Sequence, residues 1–276
     1  MKPLVLSQRQ FKLFQSFINR KTGIFFDEKK KYFLESRISS RLEECGLEDP
    51  EEYFYLINQD PEELSAFVSS ITISETYFFR DYPQLKMFAE EILPSVCEEK
   101  RKKGVKSLRV WSAGCSTGEE PYTIAIILLE MLEDFNSWTV DILGTDINIK
   151  SLRKCKEAVY SPRSVKDVPF EYKRKYFISS DTRYVLKPEV KMLVRFDYLN
   201  LNDRIKMQSM RGFDFIFCRN VLIYFDTETS KKVISYFYDA LNKGGYIFLG
   251  SSESISRLSS AFKLVRFKGG LAYMKE

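Results

Sequence analysis

The 276-residue chain contains no histidine. That removes Ser–His and Cys–His nucleophile pairs and any His-ligated metal, so no metal site is expected. Chemistry must run on carboxylates, Arg, Lys, Tyr, Asn or the substrate's own reactivity. Cysteine is sparse. Cys45, Cys97, Cys115, Cys155 and Cys218 are odd in number and widely spaced. They form no CxxC pair and no disulfide framework, which predicts reduced thiols in a cytoplasm. Long apolar runs are missing too. The longest, Thr123 to Leu129, is far too short to cross a membrane and soon meets Glu130, so no membrane insertion is expected. The opening Met1-Lys-Pro-Leu-Val-Leu-Ser-Gln-Arg has neither a long apolar core nor a small-residue cleavage site, which predicts no signal peptide. Neither sign of charge dominates. A formal net charge of +5 implies an acidic partner only if the excess is concentrated on one face. With 44% hydrophobic and 29% charged residues, the composition is that of a soluble globular protein. The length allows one large domain or two smaller ones.

What is present falls into two unlike parts. Residues 1–70 read as helices. Phe11, Phe14, Phe17 and Ile18 fall at helical spacing, as do Leu34, Ile38 and Leu42 before Cys45-Gly46. Asp60-Pro61 reads as an N-cap with proline in the first turn of a further helix. A polar junction over 71–83 follows. From 84 to 276, strands and helices alternate. Strands are predicted at Leu108–Ala113, Thr139–Thr145, Phe213–Cys218 and Gly245–Gly250. Helices are predicted at about 83–102, 119–133, 149–158 and 229–241. Phe262–Phe267 and Leu271–Lys275 flank Lys-Gly-Gly, a hairpin signal. The alternation predicts an α/β fold with a mostly parallel sheet and an antiparallel edge. Pro162, Pro169 and Pro188 break the rhythm, and 160–197 reads as a small antiparallel β insertion.

Four constellations carry chemistry. The first is Arg109-Val-Trp-Ser-Ala-Gly-Cys-Ser-Thr-Gly-Glu-Glu-Pro-Tyr122, a strand, a turn with Gly114 and Gly118, and a helix N-terminus. Open α/β sheets hold nucleotide-like ligands at such turns. Glu119 and Glu120 stand where a phosphate site would keep a Lys. They repel phosphate and welcome hydroxyls or an ammonium, which points to S-adenosylmethionine; a purely structural turn is the alternative. The second is Asp146 at the end of the next strand. It is either a ribose ligand or a helix N-cap, and the glycine turn one unit upstream favours ribose. The third is Phe213-Asp-Phe-Ile-Phe-Cys-Arg-Asn-Val-Leu-Ile-Tyr-Phe-Asp226, an apolar strand delivering Arg219 and Asn220 to the ligand edge. A charge so near a core must be paired, either by a nearby acid or by a ligand carboxylate. The fourth is Ser74-Glu-Thr-Tyr-Phe-Phe-Arg-Asp81, either a capped linker or a flap carrying Arg80 over the site. A helix from Asp27 also carries Lys30, Arg37 and Arg41 on one stripe. That stripe is either a solvated face or a dock for an acidic helix or nucleic acid.

Taken together these motifs resemble the chemotaxis receptor methyltransferases, the bacterial protein-glutamate O-methyltransferases of CheR type, almost end to end. The resemblance implies a Rossmann-like class I S-adenosylmethionine-dependent methyltransferase sheet, an all-α N-terminal domain and a small antiparallel β insertion. It implies that Ser74, Thr76, Arg80, Gly114, Asp146, Arg219 and Asn220 hold the cofactor, with S-adenosylhomocysteine as product. Glu119 or Glu120 should lie near the cofactor's amino acid moiety, and Asn200-Leu201 should form the adenine side. Arg80 and Tyr224 should serve at the reacting centre. The implied partner is the acidic helical cytoplasmic region of a chemotaxis receptor, docked through Lys30, Arg37 and Arg41. Some relatives tether a receptor peptide on the insertion through a longer glycine-bearing hairpin. Here Ile178-Ser-Ser-Asp-Thr-Arg-Tyr184 is short and has no glycine, which argues against tethering.

Three other readings fit less well. A cofactor-holding signalling or scaffold module would not need the full pocket set. A nucleic-acid methyltransferase would carry an Asn/Asp-Pro-Pro-aromatic run where Arg219-Asn-Val-Leu stands, so no nucleic acid partner is expected. A nicotinamide dehydrogenase would carry a complete G-x-G-x-x-G.

Overall fold

The computed structural model describes residues 4–276, so the first three residues of the expected leader-free N-terminus lie outside the described residues. The first part is helical, as the periodicity predicts. Helix α1 (Gln8–Thr22) starts at a capping box in which Ser7 and Gln10 satisfy each other's backbone N–H groups. It stops at Gly23, whose left-handed conformation turns the chain away. Helix α2 (Lys31–Cys45) follows a single 3-10 turn, Glu28–Lys30, capped by Asp27. Periodicity does not separate helix α3 (Pro50–Gln59) from its neighbours, although Asp49-Pro50 marks its start as Asp60-Pro61 marks that of α4 (Pro61–Ile71). Phe11, Phe14, Phe17, Leu34, Ile38, Tyr53 and Phe67 fill the core between these helices.

An extended stretch leads from α4 into a helix that runs on through Tyr82–Met87, a π turn at Phe88–Ile92, and Leu93–Lys102. Ten strands follow. They are β1 (Ser107–Ala113), β2 (Thr139–Asp146), β3 (Val159–Tyr160), β4 (Phe177–Ser179), β5 (Tyr184–Leu186), β6 (Val194–Tyr198), β7 (Phe213–Cys218), β8 (Leu241–Leu249), β9 (Phe262–Phe267) and β10 (Gly270–Lys275). Seven form one sheet in the order β6-β2-β1-β7-β8-β10-β9. The first five are parallel, and the β9–β10 hairpin adds the antiparallel edge. Strand β7 is buried along its whole length, as its unbroken apolar run requires of a central parallel strand. Helix Glu119–Met131 packs on one face of the sheet and Thr227–Ala240 on the other.

The insertion is real but shorter than expected. Strands β3, β4 and β5 form a separate antiparallel sheet in the order β3-β5-β4, with short helices Phe170–Tyr176 and Pro188–Lys191 beside it. The stretch from Val194 onward does not belong to it. That strand, β6, pairs in parallel with β2 and forms the edge of the main sheet. Its one-sided pairing explains the misplacement. An edge strand exposes alternate side chains, so Val194-Arg-Phe-Asp-Tyr198 alternates like a surface hairpin rather than a core strand.

Candidate active site

A cavity of about 270 Å³ opens at the C-terminal ends of β1, β2, β6 and β7. This is the edge of a parallel sheet where ligands bind. The 71–80 junction closes one side, and Thr22 and Ile24, just after α1, close another. The two parts of the chain are stitched at this point. Ile24 and Phe225 form an antiparallel bridge, and the Phe25 amide donates to the Tyr224 carbonyl at 2.8 Å. Asn200 donates from its side chain to the Lys21 carbonyl (2.7 Å), and Asn202 to the Arg20 carbonyl (3.2 Å). Asn148 donates to the Ser69 carbonyl and the Thr72 hydroxyl at 3.2 and 2.7 Å.

The glycine turn is built as the sequence predicts. Gly114 has a φ of 79°, and its amide donates to the Thr145 carbonyl at 2.8 Å. A Cβ there would lie 2.5 Å from the Val221 side chain, so only glycine fits. The Ser116 amide donates to one oxygen of Asp146 and the Asn148 amide to the other, both at 2.8 Å. Asp146 is therefore not the helix cap. That role falls to Asn148, which accepts from the Ser151 amide. Burial raises the Asp146 carboxyl above its ordinary range despite those backbone bonds.

The glutamate left open by sequence is Glu120. It lines the cavity, accepts from the Ser112 hydroxyl at 2.7 Å and meets Arg219 Nη1 at 3.3 Å. Burial raises it too, outweighing the Arg219 charge. Glu119 is corrected. It is 2% exposed, off the cavity wall, and accepts from the Thr117 hydroxyl at 2.6 Å. The helical turn of about 100° per residue sends neighbouring side chains in different directions, so only one of the pair can face the ligand edge.

Arg219 is 8% exposed. It donates to the Arg80 carbonyl at 2.7 Å and lies 3.5 Å from Asp81, yet its Nε has no partner among the described residues. The buried Ser116 hydroxyl is likewise unpartnered. Arg80, Thr76, Ser74, Asn200, Leu201, Asn220 and Tyr224 all line the cavity. Arg80 donates to the Glu75 carbonyl at 2.9 Å, and the Ser74 and Ser151 hydroxyls lie 3.1 Å apart. Burial raises the half-buried Tyr224 hydroxyl. Phe79, Asp81, Ser116 and Asn220 all have positive φ values near 50–61°. Ser116 and Asn220 line the cavity, and Phe79 and Asp81 flank Arg80, which also lines it.

The basic stripe does not survive intact. Lys30 and Arg37 are exposed, with the Arg37 guanidinium over the Phe33 ring, but Arg41 is 7% exposed. Its Nε donates to Glu63 at 2.9 Å, and it is also paired with Glu44. The reason is angular. On a helix Arg41 lies about 20° from Leu34, so it borders the apolar stripe, while Arg37 lies farther round toward solvent. Sequence reasoning also missed Ser116, Thr22 and Ile24. Ser116 was legible as part of the glycine turn; the other two carry no local signal.

The donor set fits S-adenosylmethionine. Two partly buried carboxylates suit hydroxyls and a cation, Leu199 and Leu201 offer apolar wall, and the orphaned Arg219 Nε suits a carboxylate. Fold and cavity together define an S-adenosylmethionine-dependent methyltransferase of the Rossmann-like class. Residues 74–270 match the family model described as CheR methyltransferase, SAM binding domain, and residues 9–72 match CheR methyltransferase, all-alpha domain. The chain belongs to the CheR methyltransferase family. It is 39% identical over 278 residues to chemotaxis protein methyltransferase 2 of Vibrio cholerae serotype O1, covering 100% of this chain and 96% of the relative. It is 38% identical over 237 residues to the chemotaxis protein methyltransferase of Borreliella burgdorferi, covering 84% and 83%. Chemotaxis protein methyltransferase 1 of Pseudomonas aeruginosa is 31% identical over 270 residues, covering 95% and 96%.

Proposed function

We propose that the protein methylates glutamate side-chain carboxylates in the acidic helical cytoplasmic region of chemotaxis receptors, giving glutamyl methyl esters. The observation that carries this reading is the presence of Arg80 and Tyr224, from two distant segments, on one cavity with Asp146 and Glu120. When bound, S-adenosylmethionine supplies a sulfonium methyl that a carboxylate oxygen can take, leaving S-adenosylhomocysteine. Asp146 would hold the ribose hydroxyls, Glu120 and Arg219 the amino acid end, and Asn200 with Leu201 the adenine side. Asn220, Thr76, Ser74 and Gly114 would complete the binding wall.

A glutamate side chain, with an ordinary pKa of about 4.3, is already ionised at neutral pH and needs no base. A chain without histidine is therefore no handicap here. Arg80 would orient the incoming carboxylate, and the Tyr224 hydroxyl would hold it in line. Alignment and loss of water from the carboxylate are what the site has to supply. Lys30 and Arg37 would attract the acidic receptor helix. The names of the relatives, all chemotaxis protein methyltransferases, support the receptor as substrate.

The test is incubation with methyl-labelled cofactor and receptor cytoplasmic fragments. Base-labile label on glutamate is the expected outcome. Base-stable label, or none on any fragment, would reject the glutamate reading.

A further inference from the structure

Behind the cavity, a carboxylate outside every motif described so far holds three backbone amides. Strand β8 ends at Leu249, and the chain then turns through Gly250-Ser-Ser-Glu253, with the Glu253 amide donating to the Gly250 carbonyl at 2.9 Å. The turn folds the Glu253 side chain back toward the neighbouring strand end. One oxygen accepts from the Asn220 amide (2.7 Å) and the Gly250 amide (2.8 Å). The other accepts from the Ile223 amide at 3.3 Å. Both oxygens are thus occupied by main-chain donors, which a carboxylate receives well and a neutral amide does not.

The amides it holds are not arbitrary. Asn220 sits in the left-handed region at φ 59° and lines the cavity, and Ile223 precedes Tyr224. The fit is tight. A Cβ on Gly250 would lie 2.8 Å from both Asn220 Nδ2 and Glu253 Oε2, so the two strand ends approach as only glycine permits.

We propose that Glu253 is a positioning residue for methyl transfer. It fixes the Arg219–Tyr224 segment, including the unfavourable backbone of Asn220, in the form that presents Tyr224 to the substrate. It acts through that segment and touches neither the cofactor wall at Asp146 nor the one at Glu120. A glutamine there keeps the shape but offers one oxygen and one NH₂, so at least one amide faces a donor. An aspartate keeps both oxygens on a shorter arm.

The test compares wild type, Glu253→Gln and Glu253→Asp by two readouts. The first is amide hydrogen exchange without ligand. Asn220 and Ile223 are expected to exchange about tenfold faster in Glu253→Gln, and less so in Glu253→Asp. The second rests on the receptor-glutamate reading. The kcat of Glu253→Gln should fall about tenfold or more, the cofactor Kd should weaken clearly less than that, since Asn220 is one of several groups on the cofactor wall, and Glu253→Asp should recover part of the loss. Unchanged exchange at both amides overturns the proposal. So does a lowered melting temperature with full kcat, or a Kd that weakens in step with kcat. If wild type fails to methylate receptor fragments, the functional reading fails while the exchange readout still judges Glu253. If Glu253→Gln does not fold, Glu253→Asp decides. It must depart from wild type by about threefold in exchange, and wild-type exchange overturns the proposal.

Discussion

Two arginines in this molecule are almost equally buried, and they are built differently. Arg41 sits in the core of the helical domain between α2 and α4. It is paired with Glu63 and Glu44, and Glu63 also accepts from the Tyr53 hydroxyl at 2.7 Å. The group is closed. Arg219 sits at the sheet edge with Glu120 and Asp81, but its Nε has no partner among the described residues, and Glu120 is held in the cavity wall. The two acids titrate in opposite directions. Burial alone would raise Glu63, yet hydrogen bonds from Arg41 and Tyr53 and the Arg41 charge hold it below its ordinary value. Burial wins at Glu120, which is raised. A closed buried ion pair belongs to the fold, and the open one is what the proposed cofactor site requires.

The largest expected effect lies at the closed pair. Arg41→Ala strands Glu63 and Tyr53 and should cost about 3–5 kcal/mol in urea unfolding, while replacing both Arg41 and Glu63 with Met should restore much of it. Cofactor affinity of the folded fraction should not change. The acid response follows from the lowered Glu63. Its contribution is present above the unfolded carboxyl pKa of about 4.3 and is lost as pH falls through the lower folded value. Arg41→Ala should lack that part of the acid transition, seen by stability curves at several pH values.

Arg219→Met should reverse the pattern. Cofactor affinity should fall about tenfold to hundredfold by calorimetry, the range of a lost charged hydrogen bond, with a smaller loss of stability than at Arg41. If Arg219→Met unfolds the protein as Arg41→Ala does while its folded fraction binds cofactor normally, the contrast between closed and open pairs is wrong.

A smaller effect is expected at Tyr224→Phe, which keeps the ring and its packing. Steady-state kinetics should show kcat down by about tenfold with cofactor Kd nearly unchanged. Full activity would remove Tyr224 from the reacting centre.

The smallest single contributions belong to the exposed cations. Contacts of Lys30 and Arg37 are individually weak, so the double Glu variant should keep normal stability and lose severalfold in kcat/KM for receptor, most clearly at low salt. Equal rates in both proteins at low salt would reduce them to a solvated face.

The sheet was legible because its central strands are unbroken apolar runs with turn residues at their ends, and Phe213–Cys218 came out with its bounds intact. Strand β6 was placed in the insertion because an edge strand and a surface hairpin alternate alike. The Asp146 and Arg219 positions were readable because a parallel sheet delivers the residues that end its strands to one edge. The helical angle puts Arg41 at the border of the apolar stripe, but nothing in the sequence of α2 marks Glu63 on α4, the acid that draws it fully inside. Nothing in the sequence marked Thr22 and Ile24 as cavity wall, since their approach depends on how α1 meets the loop after β7.

That meeting leaves the two domains an unusual latitude for divergence. Beside the Ile24–Phe225 bridge, the sheet domain grips the helical one through asparagine amides, and what Asn200, Asn202 and Asn148 grip includes the carbonyls of Lys21, Arg20 and Ser69. Every amino acid offers a carbonyl. The side chains of Arg20 and Lys21, which face outward, are therefore free to be replaced over generations without loosening the joint. Those exposed side chains could change one substitution at a time, while the part of the cavity wall formed by Thr22 and Ile24 stays where it is.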